Sequence, residues 1–188
     1  MYLQCTTERS AALQRKYEQT LLELMQANSY DAITVNHICT KLGTSRKSFY
    51  HYFKSKKGCL CSVIDHMLIN YSNFHLSADI ELKGYPRMLL TFLAYQKENY
   101  QLTELLIQNG LLDVFMERYV SHMKNNTLYT RTCKTEEELA QSEDKLLFYA
   151  YGTMAVWRKW HLDGYQRSIY DLAESICRLM PEDELARF

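Results

Sequence analysis

The sequence predicts an all-α protein: an N-terminal three-helix helix-turn-helix domain followed by a larger helical domain, about nine helices in all. Three observations carry this reading. Helix breakers are scarce, with two prolines and six glycines in 188 residues, while Leu, Met, Glu, Gln, Lys and Arg are plentiful. Apolar residues recur at steps of three and four through most of the chain. Residues 33–53, ITVNHICTKLGTSRKSFYHYF, hold two short helical patterns separated by a glycine turn.

The first helix is expected over 9–28, with Leu13, Tyr17, Leu21, Leu24 and Met25 as its apolar stripe and Arg15, Lys16, Glu18 and Glu23 largely off it. Thr34 is a good N-cap for a second helix carrying Val35, Ile38, Cys39 and Leu42, and Gly43 ends it in the left-handed conformation. Thr44 or Ser45 can cap the third. Its Phe49 and Phe53 lie four apart on one face, and Arg46, Lys47, Ser48, Tyr50 and His51 occupy the other without a carboxylate. A helix this short is marginal alone, so its phenylalanines must bolt it to neighbours. Such a rigid cationic helix suits the DNA major groove. On the pattern alone, a plain helical hairpin with a solvated basic face stays open beside it.

Ser55 is the expected N-cap of a long helix over 56–76, carrying Leu60, Val63, Ile64, Met67, Leu68, Tyr71 and Phe74. Lys56 and Lys57 oppose the dipole at its start, and a phosphate met there by backbone amides would account for them. The Lys-Gly pair before Pro86 opens helix five, over 86–98, which is apolar around much of its girth. Helix six follows over 102–108, and a seventh begins near Leu111. A loop is expected at 125–135. Thr135 and the acids after it then start helix eight, over 136–162, where Gly152 and Ala155 would permit close helix approach. Helix nine, over 168–180, ends at Pro181.

The run TVNHICTKLGTSRKSFYHYFKSKKGCL resembles the DNA-binding domain of the TetR family of bacterial regulators. Thr34, the Ile38–Cys39 core pair, Leu42-Gly43, Ser45-Arg46, Phe49-Tyr50, His51, Phe53 and Ser55-Lys56 carry the likeness. Lys47 stands where that family often has a small residue, and Gly58-Cys59 replaces a more acidic-then-leucine pattern. Gly152, Trp160 and Gly164-Tyr165 are similar to the C-terminal domain of a subgroup resembling regulators of dihydroxyacetone metabolism. The resemblance implies a DNA-binding domain at 1–55 and a regulatory and dimerisation domain at 56–188. It further implies a transcriptional regulator, most simply a repressor, acting as a homodimer on a palindromic double-stranded DNA operator.

Charge agrees with this division. Residues 1–58 carry nine Lys+Arg against four Asp+Glu, and the rest carry thirteen against eighteen, although the whole is neutral. Lys47, Thr44 and Tyr50 are the candidates for base-edge or thymine-methyl contacts. Thr34, Ser45, Tyr50, His51 and Lys56 are the phosphate candidates, Arg46 fits either class, and Ser48 shares the same face.

Of the fifteen tyrosines, Tyr71, Tyr95, Tyr100, Tyr119 and Tyr149 could line the pocket of an unidentified small-molecule effector. The plainer account, which weighs more, is that their rings fill the core. Met154, Trp157, Trp160, Ile169, Leu172 and Ile176 are the expected dimer interface, or else the rest of a monomeric core.

No apolar run reaches a membrane span. Six scattered cysteines and an N-terminus without signal-peptide character make a cytoplasmic protein the default. The six histidines lack ligand spacing, no phosphate-cradling glycine loop occurs, and no base is nominated for a cysteine nucleophile. No metal, cofactor or enzyme activity is expected. The competing class is a co-activator or adaptor of the same build acting through protein partners, against which Arg46, Lys47 and His51 speak.

Overall fold

The computed structural model describes residues 2, 5, 7–126 and 135–185. Ten helices occur among them: α1 (Glu8–Ala27), α2 (Val35–Leu42), α3 (Arg46–Tyr52), α4 (Lys56–Ser77), α5 (Gly84–Glu98), α6 (Tyr100–Gln108), α7 (Leu112–Asn126), α8 (Glu136–Leu162), α9 (Ile169–Cys177) and α10 (Glu182–Leu185). The all-α expectation therefore holds. Of the loop expected at 125–135, residues 127–134, with Cys133, lie outside the described residues. The chain forms two compact units: Met1–Met67 with Gln101–Arg118, and Leu68–Tyr100 with Tyr119–Phe188.

The first unit is built around Tyr17 of α1, which is fully buried. Its ring meets Phe49 edge-on at 5.4 Å and Phe53 at 6.1 Å between centroids. Leu21, Ile38, Phe49 and Phe53 are equally buried. Each such phenylalanine contributes about 1.5–3 kcal/mol relative to exposure, enough to hold a helix that could not persist alone.

Glu18 departs from the sequence expectation. It is 5% exposed, not on a solvated face. Ser62 Oγ donates to its carboxylate at 2.6 Å, His66 Nδ1 lies 2.9 Å away, and Gln14 Nε2 donates to Ser62 Oγ at 2.9 Å. The helical stripe assumed one covered face for α1, whereas α4 brings partners to a second. Residues 101–118 also belong to this unit. Asn109 Oδ1 accepts from the Tyr30 amide at 2.6 Å, and Arg118 grips Asp65 through Nε and Nη2, both at 2.6 Å.

The second unit is cored by Leu89, Leu93, Trp157 and Leu172, all nearly inaccessible. α8 starts in the expected capping box: Thr135 Oγ1 accepts from the Glu138 amide and the Glu138 carboxylate accepts from the Thr135 amide, both at 3.1 Å. After α8, Gly164 (φ 70°) and Tyr165 (φ 59°) both take the left-handed conformation, which only the glycine adopts without strain.

Two expectations are corrected in this unit, and a third is moved to the surface. Gly152 and Ala155 face solvent, and a Cβ built on Gly152 would meet nothing within 4 Å. α9 stops at Cys177, short of Pro181, which instead precedes the short α10. Met154, Trp157, Trp160, Leu172 and Ile176 are 0–5% exposed, and Ile169 is half-buried. Side chains consumed by the protomer's own core cannot form the surface of a dimer.

Candidate nucleic-acid interface

The α2–α3 turn is built by local hydrogen bonds. Thr34 Oγ1 accepts from the His37 amide at 3.2 Å, and His37 Nδ1 in turn accepts from the Thr34 amide at 3.4 Å. Gly43 closes α2 at φ 69°, where its amide bonds to Thr40 O at 3.2 Å and the Thr44 amide to Cys39 O at 2.9 Å. Ser45, not Thr44, caps α3: its Oγ accepts from the Ser48 amide at 3.1 Å. Thr44 Oγ1 is covered and has no hydrogen-bond partner among the described residues. Only the methyl of Thr44 remains for a base contact.

α3 is then fixed by its inner face and free on its outer one. Phe49 and Tyr52 are buried, Phe53 caps the end, and Tyr17 Oη donates to Ser48 Oγ at 2.8 Å. Ser48 is thereby half-buried at the seam of the outer face. Arg46, Lys47, Tyr50 and His51 are exposed, with Tyr50 at 46%. The Arg46 guanidinium lies 5.9 Å from the Tyr50 ring centroid, a spacing at which cation and ring attract. Neither Arg46 nor Lys47 pairs with a carboxylate among the described residues.

Lys56 is placed differently from its sequence expectation. Its Nζ donates to Tyr30 O at 2.5 Å and Ile33 O at 2.6 Å, and lies 4.1 Å from the Tyr30 ring centroid. Burial pulls this ammonium below the usual lysine range. The cation at the α4 start thus has acceptors within the unit, the carbonyls of the 28–33 turn. Lys57 pairs with Glu117 at 3.5 Å, and Ser55 Oγ accepts from the Gly58 amide at 3.1 Å, as the cap of α4.

The tyrosines proposed for a pocket separate. Tyr119 and Tyr149 line a small space in the second unit of about 20 Å³, room for one water. Tyr71 lines a separate open cleft of about 470 Å³. Tyr95 and Tyr100 line neither; the Tyr95 ring packs tilted against Tyr71 and Phe74 in the core, and Tyr100 is exposed. Burial pushes the Tyr71 phenol up to about 12, so it is a neutral hydrogen-bonding group at physiological pH.

A two-helix turn presenting a short cationic helix, bolted from behind by aromatic rings, defines a helix-turn-helix protein. Residues 19–63 match the model of bacterial regulatory proteins of the tetR family. The chain thus carries the DNA-binding domain of the TetR family of transcriptional regulators. Members of this family bind DNA and usually dimerise and bind small-molecule effectors. Two solved structures share the fold. The dihydroxyacetone kinase operon activator DhaS does so at 18% identity and TM-score 0.50, over 88% of this chain and 92% of that one. The fatty acid degradation regulator FadR from Bacillus halodurans does so at 14% identity and TM-score 0.50, over 94% and 96%. No curated protein matches the sequence. No helix among the described residues is long and apolar enough to cross a membrane.

Proposed function

We propose that this protein is a repressor that binds a palindromic operator as a homodimer through α3 and is released by a small-molecule ligand. The outer face of α3 carries the reading: Arg46, Lys47, Tyr50 and His51 stand exposed on a helix whose inner face is locked. Lys47 and Tyr50 read base edges, the Thr44 methyl packs on a thymine methyl, and Arg46 serves either bases or phosphates. Thr34 and Ser45 use their oxygens as acceptors in the helix caps, so each hydroxyl hydrogen is free to donate to a phosphate. His51 and Ser48 flank this row. The protein acts on DNA as the domain at 1–55 and dimerises and binds its ligand through 56–188.

With the expected dimer residues buried in the protomer, the pairing surface is the exposed row of α8. Phe148, Tyr151, Gly152, Ala155 and Leu162 recur there at helical spacing, with Tyr170 of α9 also exposed. The bare backbone at Gly152 lets a partner helix approach closely.

Gel-shift titration against the DNA flanking its own gene tests the reading. Lys47→Ala is expected to weaken the preferred site by about 1–3 kcal/mol and to relax preference at one position. Binding that is unaltered in both affinity and sequence preference would remove α3 from the groove.

A further inference from the structure

The open cleft of the second unit has no Asp or Glu among its lining residues. Its volume of about 470 Å³ lies within the range of small-molecule sites, unlike the neighbouring space of about 20 Å³. Ile69, Leu76, Met88 and Met123 give it an apolar side.

Arg87 supplies the charge. Its Nη2 donates to the backbone oxygens of His75 and Ala78, both at 3.0 Å, and its Nη1 donates to that of Ile80. A guanidinium has five N–H donors, so Nε–H and one hydrogen on Nη1 remain. No carboxylate pairs with Arg87 among the described residues. A permanent cation stands at the wall of an apolar cleft, stabilised by carbonyl dipoles alone.

His75 adds an acceptor and no second charge. Thr91 Oγ1 donates its one hydrogen to the backbone oxygen of Arg87 or Met88, each at 2.9 Å. The 2.8 Å contact between Thr91 and His75 therefore runs from the ring Nδ1–H to the hydroxyl, which leaves the lone pair on Nε2. Burial and the Arg87 charge hold this ring below the usual histidine range, so it is neutral near pH 7. The polar side is completed by Ser72 Oγ, 2.9 Å from His122 Nε2.

We infer that the cleft binds a monocarboxylate with an apolar tail, its carboxylate accepting from one of the remaining N–H groups of Arg87 and its tail along Met88, Met123, Leu76 and Ile69. That such a ligand controls DNA binding rests on the function proposed above; that it binds does not.

Titration calorimetry and thermal melts of the full chain with decanoate, decylamine and 1-decanol, all below their micellar concentrations, test the inference. Decanoate is expected to bind and raise the melting temperature, with the amine and the alcohol binding at least about tenfold more weakly, one charge contact being worth near 1.4 kcal/mol. Ser72→Phe, which fills the cleft, should abolish binding. Leu76→Asp at the 78% exposed rim leaves the core untouched. It should weaken decanoate by up to about fivefold, the size of a surface charge pair, and favour decylamine. Equal binding of the three head groups, or undiminished decanoate binding in Ser72→Phe, overturns the site. Decanoate that binds in a Ser72-dependent way yet leaves operator affinity unchanged supports the site and removes effector control from the proposed function.

Discussion

Lys56→Met separates an internal clamp from a phosphate contact. In the structure the ammonium makes two hydrogen bonds to the 28–33 turn and stacks on Tyr30. Hydrogen bonds to a charged group contribute about 1.5–3 kcal/mol each, and a partly exposed cation–π contact about 0.5–1 kcal/mol. Part of that is offset, because burial disfavours the charge and because the Tyr30 carbonyl keeps a bond from the Ile33 amide at 3.1 Å after the lysine is gone. A net loss of about 1–3 kcal/mol remains, which at roughly 2–4 °C per kcal/mol for a chain this size lowers the melting temperature measurably. The paired assay is operator affinity against salt concentration. Each phosphate contact adds about 0.9 to the slope of log affinity on log salt. Lys56→Met is expected to melt earlier with its slope unchanged. A variant that melts like the parent while losing about one unit of slope would refute the clamp and return Lys56 to the DNA surface.

Two further outcomes follow from burial and charge. His75 is held below the ordinary histidine value of 6.5 by burial and by Arg87, so the unfolded chain takes the proton first as pH falls. The sign is that stability from this group is complete above pH 6.5 and is lost progressively below it; melts between pH 5 and 7.5 should show the loss, and His75→Gln should flatten it. Phe148→Asp, at a side chain 75% exposed in the protomer, should leave the fold intact and shift sedimentation from dimer to monomer. An unchanged sedimentation profile would move the pairing surface off α8.

Local chemistry was legible in the sequence wherever it depends on neighbours a few residues apart. The Thr34 cap, the Gly43 turn, the Phe49–Phe53 pair and the Thr135–Glu138 box all concern such neighbours, and the helices formed where those signals predicted them. What could not be read required knowing what lies opposite. Glu18 looks solvent-facing on a helical wheel because the wheel has no α4 to supply Ser62 and His66. Lys56 looks like a free cation because the carbonyls it meets are 23 and 26 residues away. The apolar residues of α8 divide by side: Trp157 and Met154 take the inner face, and Phe148 and Tyr151 the outer. Composition makes the two rows equally eligible for a dimer. Only burial tells core from surface.

The first turn of α3 carries cations where a helix start favours anions. Arg46 and Lys47 are its first two residues, where the unsatisfied amides give the helix a partial positive charge, and the turn contains no acid. Each cation there disfavours the helix by about 0.3–1 kcal/mol. At the start of α4 the same anomaly is resolved inside the protein by carbonyl acceptors for Lys56. Lys41 pairs with Glu23 at 3.0 Å. Lys47 has no such partner among the described residues, and the DNA contact proposed above would supply one. Lys47→Glu reverses both terms at once. It should stabilise the fold by about 0.3–1 kcal/mol through the dipole while abolishing operator binding. A variant that is less stable, or that still shifts operator DNA, would mean that Lys47 serves the fold and not DNA binding.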